Sequence, residues 1–194
     1  MKDLQTRIVT DISVEPVTLT EVKSWLRITT ATQDTLLTLL ITAARKAMER
    51  YTASTYAQKT IHATWVEIPD DWILNLPYGP HISVDAVYLI DEEGTETLKT
   101  LNSDYYVYGD QDLIIALSKV WSTSQSLQYS ARVEYKAGYG HANTEPLPDE
   151  LKLAILKQIA TDYEMRENVA EGTFGVLSNS SRSLAAPYRK SLWF

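Results

Sequence analysis

The sequence contains no cysteine, which rules out disulfides, thiolate metal sites and cysteine nucleophiles together. Histidine is almost as scarce, with three in 194 residues. His62, His81 and His141 are scattered, and none stands three or four positions from another ligand-type residue on a helical pattern, so no zinc signature exists. They are read as structural or surface residues. No apolar run approaches the roughly 18 residues a membrane helix needs, and no apolar stretch follows Met1-Lys2-Asp3-Leu4-Gln5-Thr6-Arg7. The expectation is a soluble protein without a signal peptide or membrane association. Missing too are a Gly-Lys-Ser/Thr phosphate loop, a G-x-G-x-x-G turn and a Gly-x-Ser-x-Gly elbow. Gly138-Tyr139-Gly140 lets the chain leave a strand. No residue pattern calls for a cofactor, a metal or catalysis.

Acid is lacking in one place. Gly172 to Phe194 carries no Asp or Glu, in a chain of formal net charge −7. This stretch holds Arg182, Arg189 and Lys190, a serine-rich middle (Ser178 to Ser183), and an ending rich in Tyr188, Trp193 and Phe194. Its middle is too polar to build a core, and rings of that size seldom stay in water without a reason. It is expected to be an extended tail that docks on the body of the protein or on a partner. The acidity sits elsewhere: residues 59–145 hold thirteen acidic and five basic side chains, whereas residues 1–58 hold six and seven and residues 146–194 six of each. An acidic centre disfavours direct duplex binding, which normally needs a basic footprint.

Hydrophobic residues make up 44% and charged residues 22%, ordinary proportions for a folded chain. Residues 1–17 read as extended and irregular. Thr18 and Glu21 form a capping-box pattern, and Leu19, Val22, Trp25 and Leu26 continue it as a short helix. A second helix is expected from about Gln33 to Ala53, with Leu36, Leu37, Leu40, Ala44, Ala47, Met48 and Tyr51 on one broad face. Arg45, Lys46, Glu49 and Arg50 fall on the other, solvated side. From Thr60 the period shortens towards two. Strands are expected around 60–67, 73–76, 84–90, 95–98, 105–108, 113–117 and 132–139. Their turns include Asp91-Glu92-Glu93-Gly94 and Gly109-Asp110-Gln111-Asp112, whose acids serve turn geometry and solubility rather than metal binding. Helix returns at Pro148-Asp149-Glu150 and runs to about Glu167.

Three stretches together resemble one family. They are Pro16-Val17-Thr18-Leu19-Thr20-Glu21-Val22-Lys23-Ser24-Trp25-Leu26-Arg27-Ile28, with Asp34 and the helix ending Ala43 to Thr52; Leu76-Pro77-Tyr78-Gly79-Pro80-His81-Ile82-Ser83-Val84-Asp85-Ala86-Val87-Tyr88; and Tyr135 to Gly140 leading into Pro148 to Glu167. Leu184-Ala185-Ala186-Pro187-Tyr188-Arg189 adds a closing motif. In this order they resemble the head–tail connector (adaptor, or head-completion) proteins of tailed bacteriophages. Lys190 to Phe194 runs past the family's closing motif, a departure from its pattern.

The resemblance implies an α+β fold: a helical core from the first two helices and the helix after Pro148, an inserted antiparallel β meander, and an extended C-terminal tail. The divisions are 1–58, 59–145, 146–171 and 172–194. It further implies a non-enzymatic virion protein, assembled in the host cytoplasm, that forms a ring of typically twelve copies under the portal. The ring extends the channel through which DNA passes without specific binding. It also offers a platform to the tail or the next completion protein. Arg182, Tyr188, Arg189, Lys190, Trp193 and Phe194 are candidates for portal or neighbour contacts, and Arg45, Lys46 and Arg50 for contacts between subunits. Twelve tyrosines and five tryptophans leave another class open, a β module binding a ligand or carbohydrate on an aromatic platform. A hydrolase with a spatially assembled site is a third.

Overall fold

Thr18 begins the first helix as its sequence requires. Its Oγ1 accepts the Glu21 backbone N–H at 3.2 Å, and the Glu21 carboxylate takes the Thr18 N–H at 2.7 Å. Two otherwise orphaned donors are thereby satisfied. In the computed structural model, which describes residues 4–11, 14–109, 113–118, 130–141, 144–165 and 177–190, this helix is one of four. The elements run β1 (Leu4–Thr10), α1 (Leu19–Leu26), α2 (Asp34–Thr52), β2 (Lys59–Trp65), β3 (Ile73–Asn75), β4 (His81–Ile90) and β5 (Glu96–Leu98). They continue with β6 (Tyr105–Tyr108), β7 (Ile114–Leu117), β8 (Ser130–Ala137), α3 (Asp149–Met165), α4 (Asn179–Ala185) and a 3-10 turn, Ala186–Tyr188. The α+β class is as expected. Residues 13–57 and 146–191 cluster as one unit, which is helical; residues 1–12 and 58–145 cluster as a second, which is built of strands.

In the helical unit, α2 buries Leu37, Ile41, Ala44 and Met48, a four-three-four spacing that keeps one stripe turned inward. From α3 it buries Leu151, Ala154, Ile155 and Ile159. The Pro148 carbonyl accepts the N–H groups of Leu151 and Lys152 at 3.0 and 3.1 Å and so opens α3. Both N-terminal helices stop on a left-handed residue that is not glycine, Arg27 (φ 57°) after α1 and Ala53 (φ 52°) after α2. The buried stripe of α2 is turned from the expected one: Ile41 is inside, and Arg45 and Glu49, placed by sequence on a solvated side, are buried with it.

The β unit pairs all its strands antiparallel. One sheet has the order β1-β2-β8-β4-β5 and the other β3-β7-β6. Strands β2 and β8 alternate buried and half-buried positions along their whole lengths, the period-two pattern of a sheet with one covered face. Ile61 stands opposite Tyr135, and Ala63 opposite Val133, which in turn faces Val87. These residues join Trp65, Leu89 and Ala131 in one core with Leu74, Tyr105, Ile115 and Leu117 of the smaller sheet. Residues 4–10, read as extended but irregular, are a regular strand, β1, along the edge of the larger sheet. The acidic turn at Asp110-Gln111-Asp112 lies outside the described residues.

The C-terminal segment differs from the extended tail expected for it. Residues 179–185 are helical and lead directly into the 3-10 turn. Serine favours a helix start because its hydroxyl replaces a missing backbone acceptor. Ser178 does so, accepting the Ser181 N–H at 3.2 Å.

Candidate functional site

Composition made the segment around Arg182 and Tyr188 the leading candidate, and the structure clasps it onto its own helical unit. The Ser178 N–H donates to Oε1 of the buried Gln158 on α3 at 2.9 Å, and Gln158 Nε2 donates to Asp162 at 2.9 Å. Ser181 and Ala185 are fully buried, and Leu177 nearly so. At the far end the Lys190 N–H donates to the Thr52 carbonyl at the close of α2, 2.9 Å away. The Tyr188 hydroxyl donates to Glu150 at 3.0 Å. That bond to a carboxylate holds the phenol above its ordinary pKa, because ionising it would remove the donated proton.

The two candidate arginines share a target. The guanidinium of Arg182 lies 5.9 Å from the Tyr51 ring centre, and that of Arg189 lies 5.7 Å from the same ring. Both fall within the distance at which a cation is attracted by an aromatic face. Arg182, Tyr188, Arg189 and Lys190 therefore all contact the helical unit directly. The spacing of the sequence could not reveal this, since Tyr51 and Arg182 are remote along the chain. Trp193 and Phe194 lie outside the described residues.

Among the candidates on α2, Arg45 is corrected most. It is 1% exposed. Its Nε donates to Glu15 at 2.8 Å and its Nη1 to Glu49 at 2.9 Å. Glu49 also accepts the Tyr56 N–H at 2.9 Å, and Glu15 accepts the Thr42 hydroxyl at 2.9 Å. Glu49 is one helical turn beyond Arg45, so a single α2 face carries both charges. A buried guanidinium survives only when its donors are paired, and here the partners are internal. Its role is to fix α2 against the segment around Glu15. Lys46 and Arg50 are exposed, on the outer side of the same helix.

Elsewhere in the helical unit, Glu21 receives the Lys152 ammonium from α3. That bond, reinforced by the Thr18 N–H, lowers its carboxyl to about 2. In the β unit His81 is buried, as a core histidine should be. Its Nδ1 accepts the Leu113 N–H at 3.0 Å, which makes Nε2 the protonated nitrogen, donating to the Pro77 carbonyl at 3.1 Å. Tyr135 donates to the same carbonyl at 2.8 Å, and its ring meets the imidazole edge-on at 5.5 Å. Burial drives the Tyr135 phenol far above its usual value. Tyr106 and Tyr108 on β6 are exposed, with ring centres 6.5 Å apart and planes 30° apart. Among the described residues no three His, Asp or Glu side chains are grouped to hold a metal. No helix among them is long and apolar enough to cross a membrane.

These features are those of a scaffold with charged clasps. Residues 16–105 match the family model of the phage gp6-like head-tail connector protein. Solved structures extend the likeness of fold to almost the whole chain. A chain from the neck of an empty GTA particle with C6 symmetry is 21% identical, with a TM-score of 0.75 and 96% of each chain covered. A chain from the virion of a native gene transfer agent (GTA) particle is 20% identical, with a TM-score of 0.71, covering 96% of this chain and 95% of that one. A chain from the neck of a native GTA particle with C12 symmetry is 19% identical, with a TM-score of 0.63 and 96% of each covered. No curated protein matches the chain significantly. The match begins two residues before the Thr18 cap and ends at the first residue of β6, so residues 16–105 are similar to the phage gp6-like head-tail connector family.

Proposed function

We propose that this protein is a structural head–tail connector of a tailed phage or related particle. It forms a ring beneath the portal, of twelve copies in this reading, that extends the DNA channel and presents a platform for the tail or next completion protein. One observation carries the reading: the segment that matches the connector family coincides with a fold shared over 96% of both chains with particle-neck structures. The family is one of structural proteins, and no catalytic step belongs to the proposal. Its place is the head–tail junction of the virion, with assembly in the host cytoplasm. DNA passes through without specific contact, in keeping with the acidity of residues 59–145.

The C-terminal candidates keep a role in this reading with a changed division of labour. Arg182, Tyr188 and Arg189 hold the 178–190 segment on α2 and α3, and Lys190, Trp193 and Phe194 follow as the portal-facing end. Lys46 and Arg50 contact the neighbouring subunit. Deleting residues 178–194 is a poor test, because Ser181 and Ala185 are part of the helical core. The informative variant is Trp193→Ala with Phe194→Ala. Co-purification with the cognate portal protein should be lost while circular dichroism and melting stay unchanged. Normal portal capture by that variant would remove the terminus from the interface. Tailless, DNA-leaking heads should result from deleting the gene, and normal tailed particles would defeat the whole reading.

The exposed Tyr106–Tyr108 pair favours one competing reading, a carbohydrate-binding platform. Oligosaccharide titration that quenches tyrosine fluorescence in the wild type, and not in Tyr108→Ala, would support that reading instead.

A further inference from the structure

Strand β1 occupies one end of the five-stranded sheet and β5 the other, so each has one edge that no strand pairs among the described residues. Unpaired strand edges are templates for another chain, and proteins usually blunt them with proline, charge or cover. β1 is poorly blunted. Its seven residues include no proline or glycine and a single charge, Arg7. Every position after Leu4 is exposed. Ile8 stands opposite Ile61 in the ladder; Ile61 is 2% exposed and Ile8 is 53% exposed. The core face of the sheet thus continues onto β1 beyond the element that covers it. The one irregularity is a register shift between Ile8 and Thr10. At the opposite end all three residues of β5 are exposed, Leu98 by 62%, with Leu101 nearby in sequence at 49%.

We propose that the β1 edge of one copy pairs with the β5 edge of a second copy, continuing the large sheet from subunit to subunit. This rests on the ring reading above and names the surfaces that would build it. Charge selects the occupant and its orientation. β1 carries Arg7, whereas the β4–β5 hairpin and β5 carry Asp91, Glu92, Glu93 and Glu96. Joining like edges would bring two Arg7-bearing strands together, or two hairpins each carrying Asp91, Glu92 and Glu93, while Glu96 is held by Arg132 of its own copy. Joining unlike edges sets a cation against acids and covers Ile8 and Val9 with the strand bearing Leu98. A contact between two different surfaces is heterologous, and such contacts close into rings when the rotation permits, whereas an isologous contact stops at two. Backbone pairing supplies the attraction and the side chains set the choice of edge.

The absence of cysteine makes the test clean, because introduced thiols have no competitors. Thr6→Cys and Thr97→Cys place one thiol on each edge at exposed positions. Mild oxidation of rings assembled with the cognate portal should give a ladder of covalent multimers from the double variant. A mixture of the two single variants should give dimers only. Leu4→Cys and Ile8→Cys, each with Thr97→Cys, cover the neighbouring registers that keep both thiols on the same face of the sheet. Arg7→Glu should raise the concentration needed for half-assembly about tenfold, with partial recovery on adding Glu93→Lys. Rings that form normally with Arg7→Glu and give no cross-link in any of the three registers would overturn this contact and leave the connector reading standing. A wild-type chain that stays monomeric at every concentration, and with the portal present, would overturn both.

Discussion

The two units of the molecule solve the problem of specificity differently. Of the nine polar or charged residues buried among the described residues, seven belong to the helical unit: Arg45, Glu49, Thr52, Ser54, Thr55, Gln158 and Ser181. The β unit has two, Lys59 and His81. Strands fix one another through their backbone ladders, and a one-residue slip would turn the whole apolar face outward. Helices lack that constraint, since their backbone bonds are internal. In the helical unit, side-chain bonds such as Arg45–Glu15 and Ser178–Gln158 therefore hold segments in place. Buried ionic groups of this kind give orientation more than net stability. A unit whose geometry depends on such bonds is also the one whose interfaces a substitution can most easily misalign.

The sharpest way to break this comparison is Glu49→Ala. It strips Arg45 of its buried partner and the Tyr56 N–H of its acceptor, and should destabilise the helical unit by about 3–5 kcal/mol in urea unfolding. A loss below 1 kcal/mol would mean that water or Glu15 replaces the bond, and the contrast with the β unit would weaken. His81→Ala asks the same of the β unit. It leaves the Leu113 N–H without its acceptor, and should cost about 2–3 kcal/mol through an unpaired buried donor and lost packing. Native-state hydrogen exchange should place that loss in the strands, with the helical amides unchanged.

Acid provides a smaller test. Glu21 has its carboxyl lowered from 4.5 to about 2, chiefly by the Lys152 bond. A depressed carboxylate stabilises the fold above its unfolded pKa, and that contribution is lost as pH falls through the folded value. The loss should run from about pH 5 down to about pH 2. Both side chains are more than a third exposed (35% and 38%), so water screens the pair and the effect should be only about 0.5–1 kcal/mol. Thermal melts over that range should show it in the wild type and not in Glu21→Gln. The smallest expected change is a gain. Arg27 is exposed and left-handed, and Arg27→Gly should stabilise α1 by about 0.5 kcal/mol, the relief of a crowded Cβ less the added freedom of the unfolded chain. A decrease in melting temperature would show that the arginine side chain contributes more than its backbone costs.

Local chemistry was legible. The Thr18–Glu21 cap, the helices of α2 and α3 and the alternation of β2 and β8 all depend on neighbours within a turn or two. Long-range partners were not. β8 lies between β2 and β4, although β2 and β8 are separated by most of the strand region, and β1 becomes a strand only because β2 offers it an edge. The candidate site shows the same divide. Arg182 and Arg189 were visible as cations in an acid-free segment, but their shared ring, Tyr51, was not.

By itself the sequence determined the element types, the acidic middle, the cysteine-free chemistry and the order of motifs that resembles head–tail connectors. These follow from side-chain volume, polarity and spacing, which act locally. Only the tertiary structure decided that Arg45 is an internal ion-pair hub, that residues 179–188 coil onto the helical unit instead of extending, and that Ile8 stands uncovered at a sheet edge. Burial and ion pairing depend on which distant segments meet, and that is settled when the whole chain closes on its cores.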